Sequence, residues 1–146
     1  MTVVVVDASV AVKWVLEEPG SDEAEALIQE ELIAPPLFET ECANVLWKAW
    51  RRGELSAQEA RTKLDDILAG GVALRQPSLN EALSIATRLD HPVYDCAYVA
   101  LALEGESAFA TADRKLANKL KTAGVDVRLI LIGLDAEGAI RPPDQP

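Results

Sequence analysis

Four consecutive valines, Val3 to Val6, run directly into an acid, Asp7. β-branched side chains are stiff at χ1 and pack well on a pleated surface, so the run predicts a strand. It is apolar on both faces, which suits a central strand of a parallel sheet covered on either side. A helical pattern follows at once, with Ser9 as a possible cap and Val10, Val12, Trp14, Val15 and Leu16 on the apolar face. A buried strand feeding a helix is the first half of a βαβ unit, and few architectures begin that way.

The rest of the chain repeats the alternation. Pro19-Gly20 breaks the first helix, and Ser21-Asp22-Glu23 opens an acid-headed one that is predicted to reach about Glu31. Leu32 to Ala34 reads as a short strand stopped by two prolines, and a helix is predicted from Leu37 to about Arg52. Ser56-Ala57-Gln58-Glu59 matches a capping box and opens a helix to Leu68. Val72 to Leu74 is a candidate strand, Ser78 to Leu89 a helix, and Pro92 to Leu103 an apolar helix. Ala108 to Thr111, Arg114 to Ala123 and Val127 to Ile132 complete the pattern as strand, basic helix and strand. Strands alternating with helices imply right-handed crossovers, a parallel sheet and a ligand crevice at the carboxyl ends of the strands where their order reverses.

A length of 146 residues, 49% of them hydrophobic and 26% charged, fits one domain with a real core and excludes low-complexity disorder. Residues 1–133 are read as that domain and 134–146 as a short mobile tail. No apolar stretch approaches the roughly 18 residues of a membrane span, and the valine run lacks the basic flank of a secretory signal. The expectation is a soluble, cytoplasmic protein.

The reactive residues narrow the chemistry. Cys42 and Cys96 lie in apolar helical stretches without C-x-x-C spacing, as reduced packing residues do. A lone histidine, His91, makes zinc hydrolysis or a histidine-based nucleophile hard to assemble. Carboxylates remain. The net charge of −10 is concentrated in residues 1–45, where ten acids meet one base, Lys13. Such a balance argues against general polyanion binding and fits either a solvated acidic face or a cation site.

Four acids stand apart from a solvated surface. Asp7 ends the strongest strand, and Asp113 follows the strand that ends at Thr111. Glu41 borders the apolar stripe of its helix with Asn44 and Lys48 on the same side, and Asp95 is the sole charge from Pro92 through Leu103. Taken singly, each has a plain structural reading. Asp7 and Asp113 can cap helices, Asp95 can meet a helix dipole, and Glu41 can pair along its own helix. Taken together, acids from two strand ends and two flanking helices would repel without a cation. All-oxygen ligation favours Mg²⁺ or Mn²⁺, ions that activate water and neutralise phosphate oxygens.

These same segments carry a family resemblance. Val5-Val6-Asp7-Ala8-Ser9-Val10, Glu41-Cys42-Ala43-Asn44-Val45-Leu46, Tyr94-Asp95-Cys96-Ala97-Tyr98-Val99-Ala100-Leu101-Ala102 and Thr111-Ala112-Asp113-Arg114-Lys115-Leu116 resemble the successive motifs of PIN-domain ribonucleases. Order, spacing and length are similar to those of single-domain VapC-type toxins, from Val3 to about Ile132. The resemblance implies a three-layer α/β/α sandwich around a mainly parallel five-stranded sheet, often dimeric. It implies Mg²⁺- or Mn²⁺-dependent endonucleolytic cleavage of RNA to a 5′-phosphate and a 3′-hydroxyl. It also implies a cognate VapB-type antitoxin that blocks the cleft.

Carried over by position, the family acids fall on Asp7, Glu41, Asp95 and Asp113, as catalytic residues and metal ligands. Asn44 and Thr111 would orient them from behind. Arg114 and Lys115, adjoining Asp113, are candidate contacts for the RNA backbone. Trp47 and Trp50 are assigned by default to core packing, with a dimer seam or antitoxin groove as alternatives. Two other functions share the acids: a degenerate PIN module that binds RNA or protein without cutting, and a Mg²⁺-dependent phosphotransfer domain. The second fits poorly, because receiver-like sites want an early acid pair and haloacid-dehalogenase-like sites want an acid where Ser9 stands.

Overall fold

The computed structural model describes residues 2–133. The expected tail, 134–146, lies outside the described residues. Five short strands form one sheet: β1 (Val3–Val6), β2 (Glu31–Ala34), β3 (Ala73–Leu74), β4 (Ala108–Thr111) and β5 (Leu129–Leu131). Their spatial order is β3-β2-β1-β4-β5 and every neighbouring pair is parallel. The valine strand is the middle one, as its two-sided hydrophobicity requires, with Val4, Val5 and Val6 fully buried. Val5 lies between Ile33 of β2 and Phe109 of β4.

Seven helices cover this sheet in an α/β/α arrangement: α1 (Ala8–Ala11), α2 (Ser21–Ala26), α3 (Leu37–Arg51), α4 (Ala57–Leu68), α5 (Leu79–Leu89), α6 (Val93–Glu104) and α7 (Arg114–Thr122). Helix α6 packs against β1 and β4 and also pairs with α5. Its run from Cys96 to Ala102 is buried throughout, the signature of a helix enclosed on every side. Both cysteines are buried and unpaired in disulfides, and burial pushes the Cys42 thiol up to about 12 and Cys96 to about 11.

Most boundaries agree with the sequence expectation to within a residue, and three differ more. The first helix is a single turn capped by Asp7 rather than Ser9, continued by a 3₁₀ turn over Val12–Trp14. The second stops at Ala26 and ends in a 3₁₀ turn, Leu27–Gln29, because the chain must turn to enter β2. Strand β5 begins at Leu129, since the Val127 amide bonds to the carbonyl of Val125 in a tight turn.

The strand order places the chemistry. From β1 the chain moves outward on one side to β2 and β3, then returns to build β4 and β5 on the other side. The reversal falls between β1 and β4, where parallel α/β sheets open a crevice beyond their carboxyl ends. Asp7 and Ala112-Asp113 are the residues that leave those two ends.

Candidate active site

Asp7 is buried at 8% exposure, directly after β1. Its Oδ1 accepts a 2.5 Å hydrogen bond from the Ser9 hydroxyl and a 3.2 Å bond from the Val10 amide. Its Oδ2 accepts a 2.6 Å bond from the Thr111 hydroxyl at the end of β4. Those two hydroxyls are themselves fixed: Ala112 N–H donates to Ser9 Oγ and Asp113 N–H to Thr111 Oγ1, each at 3.0 Å. A carboxylate has about four acceptor positions, so three bonds leave Asp7 one on Oδ2. Burial dominates its titration and pushes the carboxyl from 3.8 to about 7, against the pull of the three donors. Repulsion from Asp95 adds to the rise.

Asp95 links the other acids, since its charge raises both Asp7 and Glu41. Glu41 comes from the first half of α3, and its Oε1 accepts a 2.5 Å hydrogen bond from the Tyr98 phenol of α6. Burial raises the Glu41 carboxyl, Tyr98 opposes that rise, and Asp95 adds to it. Tyr98 is stacked on Phe109 and held neutral by burial and by the two carboxylates it faces, so it serves as a donor. Asp95, in the first turn of α6, accepts a 2.6 Å hydrogen bond on Oδ2 from His91 Nε2. Lys119 Nζ lies 3.2 Å from His91 Nδ1, and a lysine ammonium can only donate. The imidazole therefore accepts at Nδ1 and carries its proton at Nε2, towards Asp95. Asp113 caps α7 by accepting the Leu116 amide on Oδ1 at 3.0 Å. One ligand atom each from His91, Asp95 and Asp113 lies within 4.8 Å of the others.

Each acid is thus held through hydrogen bonds that leave acceptor capacity free. Among the described residues, no lysine or arginine forms an ion pair with any of the four. His91, Asp95 and Asp113 form the metal-capable group among the described residues; Asp7 and Glu41 lie outside it and are coupled to it through the charge of Asp95.

The PIN-domain family model matches residues 4–120. The chain belongs to the PIN-domain family. This PIN domain is 38% identical over 121 residues to Ribonuclease VapC3 of Pyrobaculum aerophilum, covering 79% of this chain and 92% of that protein. It is 32% identical over 109 residues to Exonuclease VapC9 of the same organism, covering 75% and 81% respectively. The crystal structure of PAE2754, also from Pyrobaculum aerophilum, matches with a TM-score of 0.67 at 26% identity, over 81% of this chain and 84% of that one.

Of the residues singled out in the sequence, Thr111 bonds to Asp7, Asp95 is coupled electrostatically to Asp7 and Glu41, and Asp95 and Asp113 share a cluster with His91. Asn44 is exposed one turn beyond Glu41, and no hydrogen bond joins it to the acids. Arg114 and Lys115 are exposed on the first turn of α7, beside Asp113. The tryptophans are not core residues. Trp47 and Trp50 are each 46% exposed and line an open apolar cavity of about 400 Å³ with Ala43, Leu46, Ala57, Ala60, Arg61 and Leu64. The buried stripe of α3 is instead Phe38, Cys42, Leu46 and Ala49, and the tryptophans lie off it.

Three neighbours of the site lie outside the sequence expectation. Ser9, a candidate cap by sequence, holds the preceding acid through its hydroxyl. Tyr98 belongs to an apolar helix, yet a buried phenol needs a partner for its O–H and finds Glu41. His91 bonds to Asp95, and its position four residues before that acid is the signal the sequence offers.

Proposed function

We propose that this PIN domain is a divalent-metal-dependent endoribonuclease, the toxin of a VapBC-type pair. Asp7, Glu41, Asp95 and Asp113 would hold Mg²⁺ or Mn²⁺. Supporting the reading are the carboxylates Asp95 and Asp113 clustered with His91, the electrostatic coupling of Asp7 and Glu41 to Asp95, and, among the described residues, no lysine or arginine ion-paired to the four. The likeness to Ribonuclease VapC3 supports RNA as substrate. A VapB-type antitoxin and a second copy of the chain are the partners this reading entails, and the cytoplasm its location.

A bound divalent ion would supply charge neutralisation at the phosphate and acidify a water molecule. The chain's own residues supply position. Ser9 and Thr111 hold the Asp7 carboxylate from both oxygens, so its free acceptor site points in one direction. Tyr98 and His91 do the same for Glu41 and Asp95 by occupying one oxygen of each. Thr111 also receives the Asp113 amide, tying the last acid to the first through one hydroxyl. Because the Asp7 pocket is buried, charge placed there acts through little intervening water.

The test uses a linear and a circular single-stranded RNA with Mg²⁺, Mn²⁺ or chelator. Cleavage of both substrates, dependent on the ion and lost by at least 100-fold in Asp7→Asn and Asp95→Asn, is expected. Attack on the linear RNA alone would move the assignment to exonuclease, the activity named for VapC9. Full activity in both variants would end it, and binding without cleavage would favour the degenerate module.

A further inference from the structure

A second feature lies beside the acids, on the edge where α5 meets α7. Arg88, Leu89, Lys115, Asn118, Lys119, Thr122 and Ala123 enclose a cleft of about 500 Å³. Three of these are cations and none is an acid, in a chain with 24 acids and 14 lysines and arginines. A solvated basic helix face would explain Lys115 and Lys119 alone, since both lie on α7 four residues apart. It does not explain Arg88, which comes from α5 and is turned towards α7 by a 2.6 Å hydrogen bond to the Ala123 carbonyl. That bond uses one arm of the guanidinium, and an arginine has five N–H donors. Asn118 and Thr122 add uncharged hydrogen-bonding groups to the same wall.

The cleft connects to the carboxylate pocket through side chains in contact. Lys119 Nζ lies 3.2 Å from His91 Nδ1, and His91 Nε2 lies 2.6 Å from Asp95 Oδ2. Lys119 also donates to the Asp90 carbonyl at 2.8 Å, which fixes it at the junction. A row of cations and neutral donors that ends at a metal-suited pocket matches a phosphodiester chain, which carries one negative charge per nucleotide.

We propose that the α5–α7 cleft seats the phosphate–ribose backbone of the RNA strand immediately flanking the cut, with Arg88 and Lys115 on its phosphates and Lys119 at the step into the carboxylate pocket. The assignment rests on the nuclease reading for the identity of the cut, and on the cleft's own charge for the identity of the ligand. A locally basic surface lets RNA bind here against the chain's acidic total.

The experiment measures anisotropy of a labelled single-stranded RNA against salt concentration, with Ca²⁺ in place of the cleaving ion. Parent, Lys115→Gln, Arg88→Gln/Lys115→Gln and the charge-matched control Arg75→Gln are compared. Each lost phosphate contact flattens the log–log salt slope by about 0.7 for single strands. We expect a loss of about 0.7 in Lys115→Gln, about 1.4 with roughly 10-fold weaker binding at 0.1 M salt in the double variant, and parental behaviour in Arg75→Gln. Mn²⁺ affinity by calorimetry should be unchanged in every variant. A parental slope in the double variant overturns the assignment. So does unchanged RNA binding accompanied by lost binding of a polyglutamate peptide, which would make the cleft a docking site for acidic protein. RNA cleavage with an unchanged slope would remove the cleft and keep the nuclease; a flattened slope in a chain that never cleaves would do the reverse.

Discussion

Asp7 shows how one residue serves structure and chemistry together. It caps α1, and it is also the most buried of the four acids, so its carboxyl stands near 7 rather than 3.8. Between those values the folded protein holds a proton that the unfolded chain has released. Stability of the metal-free protein therefore falls as pH rises from about 4 to about 7, by up to about 4 kcal/mol, and levels off above. Thermal unfolding in chelator at pH 5 and pH 8 should show this drop in the parent relative to Asp7→Asn, which has no carboxyl to ionise. Tyr98 gives a second expectation. Tyr98→Phe keeps the stack on Phe109 and removes the donor to Glu41, whose carboxyl then rises further. Cleavage at pH 7 should fall about 10-fold, equivalent to about 1.4 kcal/mol, and recover in part at higher pH. A flat pH profile for the ratio of variant to parent would count against the contact.

At the level of elements, short strands and capped helices deliver the side chains. Asp113 and Ser78 cap α7 and α5, and Ser56 with Glu59 forms a complete capping box on α4. The box bonds join only Ser56 and Glu59 and involve none of the four acids, so it separates stability from function. Ser56→Ala should cost about 1 kcal/mol and lower Tm by roughly 3–5 °C while leaving RNA cleavage unchanged. The four conspicuous acids were legible because each sits at an element boundary or breaks an apolar pattern. Of their hydrogen-bond donors Thr111 was legible through the family resemblance, and Ser9 and Tyr98 were not. Ser9 sits two residues from Asp7 in the helix that Asp7 caps, whereas Tyr98 and Thr111 reach Glu41 and Asp7 from other elements, Thr111 across 104 positions. Trp47 and Trp50 show the opposite error, since hydrophobicity alone does not decide which face of a helix meets a neighbour.

Over the whole molecule, the turn between α1 and α2 is locked to the end of β5. Gly20 has φ +90°, and a Cβ there would stand 2.7 Å from the Gly133 amide nitrogen and 2.8 Å from its Cα. Backbone faces backbone, so neither side yields easily. Gly20→Ala should destabilise by about 2 kcal/mol or more, seen as a Tm lower by roughly 5–10 °C; an unchanged Tm would show that this approach is not rigid. The same long-range closure sets the site, because β1 and β4 are neighbours only after the chain has built β2 and β3 on the far side.

Local sequence determined the elements: a valine run must be buried, Ser-x-x-Glu must cap, and an acid after a strand must lie near its carboxyl end. It determined the family as well, because four short motifs kept their order. Tertiary structure alone decided that the Tyr98 phenol holds Glu41, that both tryptophans stay at the surface, and that Arg88 of α5 meets Lys115 and Lys119 of α7 in one cleft. The physical reason is range. Propensity and periodicity act over a few residues, whereas a hydrogen bond or a charge cluster depends on distances that only the packed sheet and helices create.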